Sequence, residues 1–541
     1  MKFTEHTSYK RLKDLVKSAP DLSKAHALSA ERVKTHTVSA LGLRMNYATE
    51  RVNAEICEAL CHLAKDANVE DNMWCLQDME MMNYVNNCES ERRMVGHTAI
   101  RNQKPGKEHS KAVHHASAEY QEELKKLGKF LSTCEYKYMI AVGIGGSYLG
   151  ALAVEQALKN YQKNDRVLHF ASNVDPDKVA SILRQVDMKK TIVVIISKSG
   201  DTLEIKAQEE LLRMRFKEAG LDPKDHFAVV TGKGSPMDKP QAYLEVFYMW
   251  DFIGGRYSVS SMVGAVPLAF LFGMKMWDEF LRGLFAMDQH ALHEKDPRKN
   301  LPLWGALLGI WNRNFLECDT YAIIPYAAGM DHWSLHLQQL FMESNGKSVC
   351  KEDGSFIDWD TCPVVWGSVG TEGQHSYYQG IHQGTKVVPI EFIVFKNSQL
   401  DEDEIIDGST NQEKIISNAV AQAIALATGQ HAPNHNKYFP GNRQSHILMA
   451  DRLDAFTLGL LLAYYEHYVA FQGFIWDINS FDQEGVQLGK VLANNVIGLY
   501  KEKRERGAMS LNKQNEVARA LVDELDKAND HRGGNHHMRS A

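Results

Sequence analysis

Two segments of this sequence place a charged side chain where it could act on a proton or an anion. In LQQLFMESNGKS, residues 337–348, Leu337, Leu340 and Phe341 fall at the spacing of one helical face. Ser344, Asn345 and Gly346 then end a helix rather than extend it. Glu343 therefore stands where a packed helix gives way to a turn, either as a solvated charge or as a base aimed into a pocket. Gln339, four residues earlier, lies on the same side of that helix. In DFIGGRYSVSS, residues 251–261, Arg256 follows Gly254 and Gly255, so its guanidinium can lie against backbone that comes close to a ligand. A permanently charged arginine can steady a developing oxyanion, although a structural pair with Asp251 fits this motif equally well.

Two further segments suit an anion. YMIAVGIGGSYLG, residues 138–150, puts Gly143, Gly145 and Gly146 after an apolar strand, where backbone amides can approach a ligand closely. The dinucleotide fingerprint fails there, because Tyr148 occupies the sixth position. SKSGDTLE, residues 197–204, packs four donors, Ser197, Lys198, Ser199 and Thr202, ahead of a helix whose first amides are free. Asp201 and Glu204 could cap that helix. Together the two strand ends favour a phosphate monoester held largely by neutral donors. Farther along, His375 and His382 stand seven residues apart in WGSVGTEGQHSYYQGIHQGTK, residues 366–386, about two turns if helical. Gln483 and Lys490 are seven apart in FDQEGVQLGK, residues 481–490, where a solvated lysine is the default.

The elements that must position these groups alternate. YKYMIAV (136–142), KTIVVIIS (190–197) and HFAVVTG (226–232) read as strands, and TLEIKAQEELLRMRFKEAG between the second and third reads as a helix. DTYAIIPYA, CPVVWGS and KVVPIEFIVF add strand candidates in the second half. Such alternation predicts parallel sheets covered by helices. Residues 1 to about 130 and about 411–517 read as helical, and the last residues, DHRGGNHHMRSA, as a polar tail. The expected division is an N-terminal helical region at 1–130, α/β domains at 131–290 and 291–511, and a C-terminal helix and tail at 512–541.

Composition narrows the partners. The 541 residues carry 44 % hydrophobic and 24 % charged side chains and a net charge of -7, which disfavours a general nucleic-acid binder. The eight cysteines form no C-x-x-C pair, and His114 and His115 are adjacent, pointing to different sides of a helix, so no metal site is expected. Scattered cysteines and an N-terminus without an apolar signal core point to the cytoplasm. The uncharged run from Tyr257 to Met274 holds three serines, two glycines and Pro267, and reads as buried core rather than a membrane span.

GIGGSYLG, SKSGDTLE, DFIGGRYSVSSMVG, LQQLFMESNGK, GTEGQHSYYQGIHQG, GNRQS and FDQEGVQLGK, in this order, resemble the phosphoglucose isomerase family, as does ERRMVGHTAIR upstream. The resemblance implies an α/β fold of two sugar-isomerase-type α/β/α sandwich domains with mainly parallel sheets and additional N- and C-terminal helices. It implies reversible conversion of glucose 6-phosphate to fructose 6-phosphate through an enediolate, in glycolysis and gluconeogenesis, with no metal and no organic cofactor. It further implies a homodimer with a shared active site. On the matching positions, Glu343 would be the base and Arg256 would stabilise the enediolate. His382, reaching in from the partner subunit, and Lys490 would assist ring opening. Ser197, Lys198, Ser199 and Thr202 would hold the phosphate near Gly146 and Ser147, and Gly255, Gln339 and Gln483 would complete substrate binding. The chain departs from the family's pattern at Ser199, Gly200 and Asp201, at Gln444 where proline is usual, and at Glu484 and Gln487, where tryptophan and glutamate are common. A regulatory reader of sugar phosphates on the same fold is the alternative, but such a protein would lose the acid–base set that is present here.

Overall fold

The structure, a computed structural model, describes residues 2–507, 509 and 515–530. The chain forms two compact units, Met1–Asp482 and Gln483–Ala541. In the first unit the strands are β1 (Thr37–Ala40), β2 (Leu43–Asn46), β3 (Met81–Asn83), β4 (Arg93–Met94), β5 (Tyr138–Val142), β6 (Val167–Ala171), β7 (Thr191–Ser197), β8 (Phe227–Gly232), β9 (Glu245–Met249), β10 (Thr320–Pro325), β11 (Val364–Trp366), β12 (Ile390–Asn397) and β13 (Ser445–Arg452).

One sheet runs β6-β5-β7-β8-β9, parallel throughout. Every residue of β7 is buried, which explains a strand that is β-branched on both faces rather than alternating. Successive side chains still diverge. Ile192, Val194 and Ile196 enter the large central core, while Val193 and Ile195 meet Ile205, Leu212 and Phe216 of the helix Leu203–Glu218. The second sheet runs β1-β2-β13-β12-β10-β11. Its β11, β10, β12 and β13 are parallel, and β2 joins β13 antiparallel. Ile323, Ile393 and Phe395 face the central core, and Ile324, Phe392 and Val394 pack on the helix Asn411–Thr428.

Three stretches differ from the sequence reading. Residues 1–130 are not helical throughout: β1 and β2 form a hairpin that extends the second sheet. The stretch 411–517 is interrupted by β13, whose SHILMADR mixes polar and apolar residues and hides its strand period. His375 and His382 do not share one helix, because Gly370–Gln374 ends before Tyr378–Gln383 begins. The Tyr257–Met274 run contributes the helix Met262–Phe272, buried from Met262 to Leu271, and no helix among the described residues is long and apolar enough to cross a membrane. In the second unit, helices Gln487–Arg506 and Glu516–Asp530 follow a short turn. The polar tail from 531 onward lies outside the described residues.

Candidate active site

Strand order places the site. In the first sheet β6 lies on one side of β5 and β7 on the other, so the carboxyl ends of β5 and β7 flank the point where the winding reverses, and ligands of open α/β sheets bind there. The β5 loop and the β7 loop carry the two anion-ready motifs.

After β5, Gly145 adopts a left-handed φ of +57°, and Gly146 lies against the turn that presents Arg256. A Cβ on Gly146 would stand 2.2 Å from the Gly255 carbonyl carbon and 2.7 Å from the Arg256 nitrogen, so only glycine permits this contact. Ser258 Oγ donates to the Gly146 carbonyl at 3.3 Å. On its other side the loop borders Gln339, whose Nε2 lies 3.3 Å from the place a Gly145 Cβ would take. Ser147 is half-buried at the end of the same turn.

After β7, Thr202 is the N-cap of Leu203–Glu218 but its side chain makes no cap bond. Its hydroxyl instead stands 3.4 Å from Ser197 Oγ, and Asp201 pairs with Lys206 at 2.6 Å rather than capping the helix. The first helical amides therefore stay open to a ligand, as an anion site requires. Ser197 Oγ accepts from the Gly200 amide and Ser199 Oγ from the Asp201 amide, both at 3.2 Å. Lys198 Nζ donates to the carbonyls of Ile253 at 3.0 Å and Asp251 at 3.4 Å, which ties this loop to the segment leading into Arg256. Burial lowers the Lys198 ammonium from the ordinary lysine value, with nearby Arg93 adding to the effect.

Glu343 and Arg256 meet. Glu343 sits in the last turn of the helix Trp333–Asn345, whose Leu337, Leu340 and Phe341 are buried. Gln339 Nε2 donates to Glu343 Oε2 at 2.8 Å, and Arg256 Nη1 lies 3.4 Å from Oε1. The Arg256 side chain is 0 % exposed and that of Glu343 is 21 % exposed, so the arginine is fixed while the carboxylate keeps a face open. Arg256 Nε donates to Ser344 Oγ at 2.6 Å, and Nη2 to the carbonyls of Ser480 at 2.6 Å and Asp482 at 3.0 Å. Nη1 alone has no hydrogen-bond acceptor. The Arg256–Asp251 pair that the motif allowed is not formed.

His382 makes its contacts away from this cluster. His382 Nε2 is 2.7 Å from Gln422 Oε1, with the ring near Tyr378 and Phe439, and its hydrogen bonds and ring contacts do not reach Glu343 or Arg256. In the second unit, Gln483 precedes the short turn Glu484–Val486, and Lys490 is exposed on the helix Gln487–Arg506. Sequence reasoning missed Ser344, Lys347 and the carbonyls of Ser480 and Asp482. Lys347 stands at i+4 from Glu343, a spacing that could have marked it. Among the described residues, no group of three or more His, Cys, Asp or Glu could hold a metal ion.

The sequence model of the family described as Phosphoglucose isomerase matches residues 46–516. Glucose-6-phosphate isomerase of Protochlamydia amoebophila is 47 % identical over 509 residues, covering 93 % of this chain and 94 % of that relative. Glucose-6-phosphate isomerase of Chlamydia caviae is 46 % identical over 514 residues, 94 % of this chain and 96 % of the relative. The crystal structure of a glucose-6-phosphate isomerase from Chlamydia trachomatis superposes with a TM-score of 0.93 at 42 % identity, covering 98 % of this chain and 100 % of the other.

Proposed function

The chain belongs to the phosphoglucose isomerase family, and from that premise we propose that it interconverts glucose 6-phosphate and fructose 6-phosphate by acid–base chemistry at Glu343. The observation that carries the reading is one carboxylate, oriented by Gln339 and facing an arginine with an unspent Nη1.

The chemistry needs these parts in order. The substrate's closed ring opens when a proton reaches the ring oxygen as one leaves the hydroxyl, the step assigned to His382 and Lys490. The C2 proton of the open aldose is weakly acidic, so a carboxylate must lie within hydrogen-bonding reach of it. Glu343 takes that proton and returns it to C1. The charge that accumulates on O1 or O2 meets Arg256 Nη1, a donor already in place. Gly255, at the start of the Arg256 turn, and Gln339 and Gln483 complete substrate binding. The phosphate, remote from the reacting carbons, anchors the open chain through Ser197, Lys198, Ser199, Thr202, Gly146 and Ser147. Hydrogen bonds to a charged group contribute about 1.5–3 kcal/mol each. Ser199→Ala combined with Thr202→Ala is accordingly expected to raise KM at least about tenfold with kcat within about threefold. A loss confined to kcat would move the phosphate elsewhere.

The enzyme works as a homodimer with a shared site, in the cytoplasm, as part of glycolysis and gluconeogenesis. Two features support the shared site. His382 makes no contact of its own with Glu343 or Arg256. The helix bearing Lys490 exposes Leu488 at 71 %, Val491 at 58 % and Leu492 at 53 %, an apolar stripe of the kind that marks an interaction surface. The cysteines are free, in keeping with a reducing compartment. The test is a coupled assay on glucose 6-phosphate and mannose 6-phosphate, with and without a chelator. Turnover of glucose 6-phosphate unaffected by the chelator is expected, and absence of turnover overturns the function. Mixing His382→Ala with Glu343→Gln chains in the same assay should restore activity in part of the heterodimers. No recovery despite subunit exchange argues against a shared site.

A further inference from the structure

Lys347 enters none of the steps above, yet its ammonium closes a ring around the catalytic pair. Its Nζ donates to the main-chain carbonyl of Glu343 at 2.7 Å and to that of Asp482 at 3.2 Å. It also lies 3.2 Å from Asp482 Oδ1. The same Asp482 carbonyl accepts from Arg256 Nη2 at 3.0 Å. Arg256, Glu343, Lys347 and Asp482 thus form a closed set of two cations and two anions.

Asp482 is the competitor in this set. Its carboxylate belongs to a residue that Arg256 already touches, and its side chain is 9 % exposed, so water compensates its charge poorly. Arg–carboxylate pairing through two parallel bonds is the strongest contact a guanidinium makes with a side chain. The Asp482 carboxylate faces other partners, through an ion pair on one oxygen and a hydrogen bond on the other. Lys347 stands at Oδ1, and Asn479 Nδ2 donates to Oδ2 at 2.7 Å. Lys347 is held at this post from the other side, because its bond to the Glu343 carbonyl joins it to the end of the helix that carries the base. Burial and neighbouring Arg256 lower its ammonium from the ordinary lysine value, and Asp482 works against that shift.

We propose that Lys347 is a positioning residue for Arg256: by its ion pair with Asp482 it keeps that carboxylate off the guanidinium, so that Nη1 faces only Glu343, at 3.4 Å, and can turn to the oxyanion that develops on the substrate. The role rests on the reading of Glu343 and Arg256 given above. Its signature is a rescue that general loss of structure does not produce. Without the ammonium, Asp482 captures the guanidinium and turnover falls. Without both the ammonium and the carboxylate, the guanidinium is released and turnover returns.

The test measures kcat, KM and thermal melting for Lys347→Met, Asp482→Asn, the double variant and Lys347→Arg. Lys347→Met should lower kcat at least about 30-fold, approaching the 10²–10³ that follows removal of an oxyanion donor, with KM changed less than about threefold. The double variant should recover at least about tenfold of that loss, and Lys347→Arg, which retains a cation, should stay closer to the parent than Lys347→Met. Unchanged kcat in Lys347→Met, or a double variant as slow as Lys347→Met, overturns the role. If Lys347→Met does not fold, the double variant is compared with Asp482→Asn alone. With no carboxylate to hold off, the two should agree within about threefold, and a gap above about tenfold overturns the role. Arg256→Ala assayed alongside checks the underlying site: full activity there overturns the site and this role together, whereas failure of the rescue with Arg256→Ala inactive overturns the role of Lys347 alone.

Discussion

Glu343→Gln is expected to lower kcat by about three orders of magnitude or more, within the range or beyond for loss of a general base, while KM for the sugar phosphate should stay within about threefold. The substitution is nearly isosteric. Its amide oxygen can still face Arg256, 3.4 Å away in the parent, and the helix that carries it is anchored by Leu337, Leu340 and Phe341. Only the ability to accept a carbon-bound proton is removed. The decisive measurement is a coupled rate assay together with deuterium incorporation at C2 in heavy water. Both should vanish in the variant while binding of the sugar phosphate persists. A variant that still exchanges the C2 proton would assign the base to another group.

Arg256→Ala is expected to lower kcat by about 10²–10³-fold, the loss that follows removal of a fixed donor to a developing oxyanion. Unlike the glutamate change, it should also destabilise the protein. The guanidinium satisfies the carbonyls of Ser480 and Asp482 and the Ser344 hydroxyl in a fully buried position, and each buried acceptor left without a donor costs about 1–3 kcal/mol. A lower melting temperature should therefore accompany the loss of rate. Arg256→Lys separates the two effects. It keeps the charge but cannot serve three acceptors and an oxyanion from one planar fork, so it should fold better than the alanine variant and remain slow. Melting curves and kcat measured on the same preparations check this. Parental turnover in Arg256→Lys would mean that charge alone suffices and the fork is not needed.

Much of the architecture is legible in the sequence because its signals are local. The strand β7 announces itself as an unbroken β-branched run, and the glycines after β5 and the hydroxyls after β7 mark strand ends where backbone or side-chain donors gather. The turn from helix to loop at Ser344–Gly346 is equally readable. The hairpin of β1 and β2 is not, since its inner strand β2 is specified by pairing with β13, some 400 residues away in the chain. The strand β13 is obscured for a related reason. His446, a polar residue within it, is tolerated in the core because Glu50 and Glu391 bond its two ring nitrogens at 2.8 and 2.7 Å. Burial opposes its charged form, but these two carboxylates outweigh that and raise its pKa to about 9.

The amino-acid sequence by itself determined the alternating α/β class, the two anion-ready strand ends and the type of every group assigned to the chemistry, because residue type and short-range period are properties of neighbours in the chain. It left open what Arg256 pairs with and what Glu343 faces. Tertiary structure decided both. It pressed Gly146 against Gly255, turned Arg256 from Asp251 toward Glu343, and used the carbonyls of Ser480 and Asp482, more than 220 residues beyond Arg256, to fix the guanidinium. Backbone carbonyls are present at every residue, so no pattern of side chains marks the two that do this. Only the fold, by bringing distant backbone into a buried space without water, makes those bonds obligatory.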